Sequence, residues 1–139
     1  MGERETVVTP GIEELAEAAS VPASEPLNLG VEEEFHVVDL DSRELVPRAP
    51  EILEHLPAAS FSPELHRSVL ETNTKVHYGL ERLRDELVAL RRQACEVADA
   101  LGMGIVAAGT VPLVDVEELA VTPNARFERM LDDYQLLAR

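Results

Sequence analysis

The chain has few aromatic and few basic residues. It contains no tryptophan, and aromatic residues make up 4% of its 139 positions, so we expect a core of aliphatic side chains. Its 27 acidic residues outnumber 12 lysines and arginines, which gives a formal net charge of −15. Because phosphates and anionic lipids are bound by clustered cationic side chains, we expect neither nucleic acid nor membrane among its partners.

The chain also lacks the elements of a secreted or membrane protein. Cys95 is its single cysteine, so an intrachain disulfide is excluded, and its helical sequence context predicts a buried, inert thiol. No apolar run approaches the roughly 18 residues of a membrane span. The first five residues lack the basic and apolar blocks of a signal peptide. The cytoplasm is therefore the expected location.

What is present is the composition of a folded domain, with 45% hydrophobic and 28% charged residues. Breaker clusters at 9–11 and 22–26 flank a short acidic stretch, and we expect residues 1–26 to form a mobile N-terminal extension. Residues 27–139 are expected to form the structured part.

The structured part begins with an alternating pattern that predicts a strand at 29–38. Glu32, Glu34 and His36 fall on one face, and Glu33 falls on the other with the apolar residues. We then expect a hairpin return at 44–47, a helix at 50–56, a strand from about 67, a helix at 80–101, a strand at 105–110 and a helix at 124–139 capped by Thr122. This order predicts an α+β or α/β protein whose sheet is incomplete.

Two carboxylates share one face of the first strand. Glu32 and Glu34 are expected to lie about 7 Å apart at their Cα atoms, where ionised groups facing inward repel each other unless a cation is present. Mg²⁺ is usually held by a few carboxylates together with phosphates and water. The alternative is that this face is solvated and the acids only keep the protein soluble. His36 lies on the same face and is a further candidate for a position near a metal.

The next predicted strand region adds Glu64 and Glu71. An acid within a β-branched run is costly when it is buried unpaired. Two adjacent strands would bring four carboxylates together, which favours a metal site over a solvated face. The alternative is a set of ordinary cross-strand ion pairs with Arg67 and Lys75.

An ordered series of short motifs carries a resemblance to a known family. It consists of Gly30-Val31-Glu32-Glu33-Glu34-Phe35, Val37-Val38-Asp39, Pro47-Arg48-Ala49-Pro50, Glu64-Leu65-His66-Arg67-Ser68-Val69-Leu70-Glu71 with Thr74, Ala107-Ala108-Gly109-Thr110 with Pro112, and Thr122-Pro123 with Arg126-Phe127. The series is similar in order and spacing to the N-terminal portion of the glutamate–cysteine ligase type 2, or carboxylate–amine ligase, family.

The resemblance implies a fold, a reaction and its cofactors. The fold is α+β: part of a glutamine-synthetase-like antiparallel β-sheet funnel with flanking helices, here with an incomplete sheet. ATP and Mg²⁺, which Mn²⁺ can replace, activate a γ-carboxylate as an acyl phosphate, and an amine then displaces the phosphate. The implied partners are small-molecule amino acids, namely glutamate and cysteine or a related amine. A homo-oligomer is compatible with this reading.

Residue by residue, the resemblance places Glu32, Glu34, Glu64 and Glu71 at the metal ions. It makes Thr74 and Arg126 candidates for substrate binding, although Arg126 also has the alternative of a helix-surface ion pair with a neighbouring acid. No residue is assigned as catalytic.

Three departures from the family pattern bear on this reading. Val111 stands where the family usually has histidine, Phe127 stands where tyrosine is common, and a following Gly-x-His-x-His strand is missing. We therefore expect a truncated fragment that is inactive by itself. The alternative is a non-catalytic paralogue that binds a divalent cation or a protein partner, and a third reading is an unrelated α+β domain with a solubilising acidic face.

Overall fold

The computed structural model describes residues 27–111 and 113–134. In chain order they form β1 (Glu32–Asp39), α1 (Ala49–Leu53), β2 (Phe61–Pro63), β3 (Val69–Asn73), α2 (Leu80–Ala100), β4 (Met103–Val106), a 3₁₀ turn (Val116–Glu118) and α3 (Ala125–Asp133). The predicted extension at 1–26 and the predicted end of the last helix at 135–139 lie outside the described residues.

The four strands form one open antiparallel sheet in the order β2-β3-β1-β4. β1 is an inner strand, and its pairing with β3 sets Glu34 opposite Glu71 and Phe35 opposite Leu70. The predicted α+β class is confirmed, and the sheet is open, as expected. Its membership in a larger funnel stays a prediction.

One face of this sheet is packed against helices. The odd positions Phe35 and Val37 of β1 are buried there, as the alternating pattern predicts. From α2, the residues at three- and four-residue spacing that join the same core are Leu90, Ala94 and Ala98. Ile52 of α1 completes this packing. The even positions of β1 therefore lie on the opposite face, which is free of α1 and α2.

Several element boundaries differ from the sequence-based expectation. β1 begins at Glu32, and Leu29 makes only an isolated bridge to His77. The predicted return at 44–47 is likewise reduced to a bridge between Val38 and Leu45. The last predicted strand lies earlier, at Met103–Val106, because the chain pairs with β1 directly after α2. β2 was missed, since three residues ending in proline are too short to show a strand period.

Two side-chain predictions were wrong. Cys95 is exposed, because it follows Ala94 by about 100° around α2 and so points away from the buried stripe. The last helix is capped by Asn124, whose side-chain oxygen accepts a hydrogen bond from the backbone N–H of Arg126 at 2.8 Å. Thr122 instead donates its hydroxyl to the backbone oxygen of Glu64.

Leu70 gives a direct test of this core. It is fully buried in β3, so Leu70→Ala is expected to lower the free energy of unfolding by about 2–5 kcal/mol, measured by urea denaturation. The same substitution at Leu80, which is 71% exposed at the start of α2, is expected to change it by less than about 0.5 kcal/mol. Similar losses for the two variants would contradict the packing described here.

Candidate functional site

Three carboxylates meet on the face of the sheet opposite the helices. Glu34 of β1 and Glu71 of β3 face each other directly across the strand pair. Glu64 lies in the connection between β2 and β3. Each of the three offers an oxygen atom, and these oxygens lie within 4.8 Å of one another. Like charges directly opposite on a sheet are unfavourable, so these carboxylates repel one another.

Glu64 reaches the cluster because its loop is held by a distant part of the chain. The backbone N–H of Thr122 donates to the oxygen of Leu65 at 2.8 Å, and the Thr122 hydroxyl donates to the Glu64 oxygen at 2.6 Å. The N–H of Arg67 donates to the Ala120 oxygen at 2.8 Å. The Glu64 side chain also accepts from the Leu65 N–H at 2.7 Å. These contacts fix a residue that belongs to no strand.

Neutral donors position Glu71. Its Oε1 accepts hydrogen bonds from the Ser62 hydroxyl at 3.0 Å and from the Asn73 amide at 2.9 Å, and that amide also donates to Ser62 at 3.0 Å. Ser62 and Asn73 are supporting residues that the sequence pattern did not single out. The position of Asn73 could have been predicted, because it lies two residues beyond Glu71 on the same strand and therefore shares its face.

The ion pairs of the described residues leave this cluster without a cationic side chain. They are Arg48–Glu51, His77–Glu86 and Arg91–Glu33. The alternative cross-strand pairing with Arg67 or Lys75 is therefore not adopted among these residues. Glu33 lies on the helix face, as the strand parity predicts, where its carboxylate accepts from the Arg91 guanidinium of α2.

The electrostatics show the same shortage of positive charge. Partial burial raises the pKa of Glu34 above its ordinary value, and the charges of Glu64 and Glu71 raise it further. His36 opposes this shift, and Glu32 adds to it weakly. A bound cation would relieve all of these repulsions at once.

Glu32 lies at the edge of this arrangement. It is on the same face of β1, opposite Asn73, but it is not one of the three acids whose oxygens converge. The predicted set of four carboxylates is thus represented by a compact group of three with Glu32 beside it.

The two candidate substrate residues do not join the three-carboxylate group. The Thr74 hydroxyl accepts from the Val31 N–H at 2.9 Å, which ties β1 to the end of β3. Arg126 is exposed on α3, with its guanidinium carbon 5.9 Å from the centre of the Phe127 ring. Among the described residues it makes no ion pair with Glu128 or Asp133. Substrate contacts of Thr74 and Arg126 stay predictions.

A cavity of about 650 Å³ lies beside the cluster on the same face. His36 connects the two, since it lines the cavity and follows Glu34 by two residues on β1. Its Nδ1 is buried and has no hydrogen-bond partner within the described part of the chain. The loop after β4 forms much of the remaining wall, including Val111. Sequence periodicity gives no signal for such a cavity, because an irregular loop builds it.

Fold and site together define a class: an α+β domain that packs helices on one sheet face and gathers carboxylates on the other. A family model described as Glutamate-cysteine ligase family 2 (GCS2) matches residues 28–139. The chain belongs to this family. No helix among the described residues is long and apolar enough to cross a membrane.

The relatives are considerably longer than the chain. It is 53% identical over 111 residues to a protein of Frankia alni, 48% identical over 117 residues to one of Rhodococcus jostii and 50% identical over 117 residues to one of Mycolicibacterium smegmatis. All three are provisionally named as glutamate–cysteine ligases 2. The matches cover 80%, 84% and 84% of this chain but 13%, 15% and 29% of those proteins.

The raised pKa of Glu34 generates a prediction for the metal-free protein. The folded state binds this proton more tightly than the unfolded chain, so the contribution of Glu34 to stability becomes less favourable as the pH rises through its folded-state pKa. In the presence of EDTA, Glu34→Gln is expected to increase stability at pH 7 by less than about 1 kcal/mol, because solvent screens an exposed group. The gain should shrink as the pH falls toward 4.5, the ordinary value.

Urea denaturation between pH 4 and 7 measures this difference. The same substitution in a Glu64→Gln/Glu71→Gln background is the control, and its effect should be smaller because the repulsion by those two charges is removed. A Glu34→Gln variant that is less stable than the parent at pH 7 would rule out a raised pKa for this carboxyl.

Proposed function

We propose that this chain provides the metal-binding strand pair of an ATP- and Mg²⁺-dependent carboxylate–amine ligase of the glutamate–cysteine ligase type. The observation that carries the proposal is the convergence of Glu34, Glu64 and Glu71, to which no cationic side chain of the described residues is paired. Family membership supports the reaction class. The relatives' names suggest glutamate and cysteine as substrates, and a related amine in place of cysteine is the alternative.

The donor set suits a hard cation. Three carboxylates offer oxygen ligands only, which favours Mg²⁺ or Mn²⁺ over metals that prefer sulfur or several imidazoles. Glu34, Glu64 and Glu71 would hold the ion directly, and Glu32 would add negative potential beside it. The hydrogen bonds from Ser62 and Asn73 would keep Glu71 oriented, as outer partners of metal ligands commonly do.

The bound ion would neutralise charge on the phosphates of ATP. In the proposed reaction the γ-phosphoryl group moves to the substrate carboxylate, which gives an acyl phosphate and ADP. The amine nitrogen then forms a bond to the acyl carbon, phosphate leaves, and the amine loses a proton. The carboxylates of this chain would contribute by holding that cation beside the phosphates, because carboxylates without a cation would repel them.

The open sheet face supports the glutamine-synthetase-like funnel as its wider setting. The acids line the face that α1 and α2 leave free, and the described residues contribute four strands to the sheet. Further strands beyond this chain would enclose that face in the complete enzyme. We propose a cytoplasmic ligase whose remaining nucleotide and metal ligands lie in the part of the relatives that this chain does not match.

Metal binding is the first test. The 139-residue protein is expected to bind Mn²⁺, followed by loss of the free-ion signal in electron paramagnetic resonance. Glu64→Gln and Glu71→Gln should each weaken binding by about tenfold or more, because each removes a charged ligand, and Ser62→Ala should weaken it by about tenfold through the loss of an outer partner. Binding should also weaken as the pH falls, because protons compete for the carboxylates.

Glu54→Gln is the control, since Glu54 is exposed in the turn after α1 and outside the cluster. Equal affinity in all of these variants would refute the metal site.

Catalysis is the second test. The isolated protein is expected to release no ADP with ATP, glutamate and cysteine. The same segment, fused in place of its counterpart in the Mycolicibacterium smegmatis relative, should support that reaction, and Glu71→Gln in the fusion should abolish it. Activity of the isolated chain would disprove the fragment interpretation. A folded, Mn²⁺-binding but inactive fusion would favour the non-catalytic cation-binding module.

A further inference from the structure

The cavity beside the carboxylates has the size and position of a small-molecule site. Its volume of about 650 Å³ lies within the range of about 300–1,000 Å³ found for ligand pockets. His36 lines its near end, and the Cα atoms of Glu34 and His36 are about 7 Å apart because they are two residues apart on a strand. A molecule in the cavity can therefore extend its end to the carboxylate cluster.

The walls of the cavity are mainly aliphatic. β1 and β4 supply Val38 and Val106, and the loop after β4 supplies Val111, Val114 and Leu119. Such walls favour hydrocarbon, since removing each methylene group from water contributes about 0.8 kcal/mol.

Charged residues are few at this site and mainly acidic. Among the described residues that line the cavity, Arg43, Glu44 and Glu118 are charged, which gives this part of the lining a formal charge of −1. The carboxylate cluster adjoins the His36 end. The site therefore favours a cation with an apolar body over an anion of the same shape.

The rim formed by the turn after β1 is pre-organised. Arg43 adopts a left-handed conformation with φ 62°, which is uncommon for a residue other than glycine. The Asp39 carboxylate accepts from the N–H groups of Asp41 at 3.0 Å and Ser42 at 2.9 Å, and the Arg43 N–H donates to the Asp39 backbone oxygen at 2.8 Å. The N–H of Ser42 is the main cause of the lowered pKa of Asp39. These bonds hold the rim in shape before any ligand arrives.

We propose that the cavity binds the apolar substituent of a primary amine whose nitrogen lies at the His36 end, beside the carboxylate cluster. The acceptor amine of this ligase is then larger and more apolar than cysteine, because the single methylene and the thiol of cysteine would contact few of the lining residues. The acceptor role rests on the proposed ligase function, whereas the binding of the amine does not. Before the amide forms, the bound ammonium group gives one proton to water and becomes a free amine. Its nitrogen then bonds to the acyl carbon, phosphate leaves and the nitrogen gives up a second proton.

Three small molecules that differ in chain length and in charge test the proposal on the 139-residue protein. They are n-hexylamine, ethylamine and n-hexanoate, titrated into protein with labelled valine and leucine methyl groups and followed by NMR. Hexylamine is expected to shift the methyl signals of Val106, Val111 and Leu119 and to bind about tenfold or more tightly than ethylamine, because its longer chain is buried. Hexanoate is expected to bind at least about tenfold more weakly than hexylamine because its charge is repelled.

A space-filling variant and its matched control complete the test. Val111→Tyr fills part of the cavity and should weaken hexylamine binding by about tenfold, whereas Val88→Tyr on the exposed side of α2 should leave it within about twofold. No binding, equal binding of hexylamine and hexanoate, or an unaffected Val111→Tyr variant would overturn the proposal. Mn²⁺ titration of the same samples reports separately on the metal site, so the two failures can be told apart.

Discussion

The antiparallel register of β1 and β3 is the constraint on which the site depends. It sets Glu34 opposite Glu71 on one face and Phe35 opposite Leu70 on the other, so a single pairing fixes both the core and the carboxylate cluster. A slip by one residue would bury the acids and expose the core, and the hydrophobic effect prevents this. Burial of apolar side chains therefore holds two carboxylates together despite their repulsion. The sheet therefore places negative charges where a cation or a proton would be favourable.

The remaining structure reinforces this arrangement from both faces. On the helix face, Arg91 of α2 binds Glu33, the one acid of the Glu32-Glu33-Glu34 run that points toward the helices. On the open face, Thr122 anchors the Glu64 loop, so the third carboxylate depends on a segment far along the chain. The loop after β4, which leads to Thr122, also lines the apolar cavity. The carboxylate cluster and the cavity thus share one supporting segment, which would place the proposed ion and the proposed amine side by side.

Local periodicity predicted the features that depend on one element at a time. Alternation in β1 correctly assigned Glu33 and Glu34 to opposite faces, and the helical stripe identified α2. The features that were not predicted correctly depend either on contacts between residues distant in sequence or on which face of a helix a residue occupies. Glu64 was among the predicted ligands, but its position in a loop held by Thr122 was not predicted, and the cavity is built by a loop without a repeating pattern. The predicted burial of Cys95 was wrong because a helical sequence context indicates a helix but not which face of it a given residue occupies.

The central claim is that the three converging carboxylates form a divalent-cation site. Diffraction from crystals grown with Mn²⁺, recorded at the manganese absorption edge, tests it most directly because the anomalous signal locates the ion itself. The account predicts a peak within direct ligand distance of carboxylate oxygens of Glu34, Glu64 and Glu71. A peak elsewhere, with the three carboxylates empty, would contradict it.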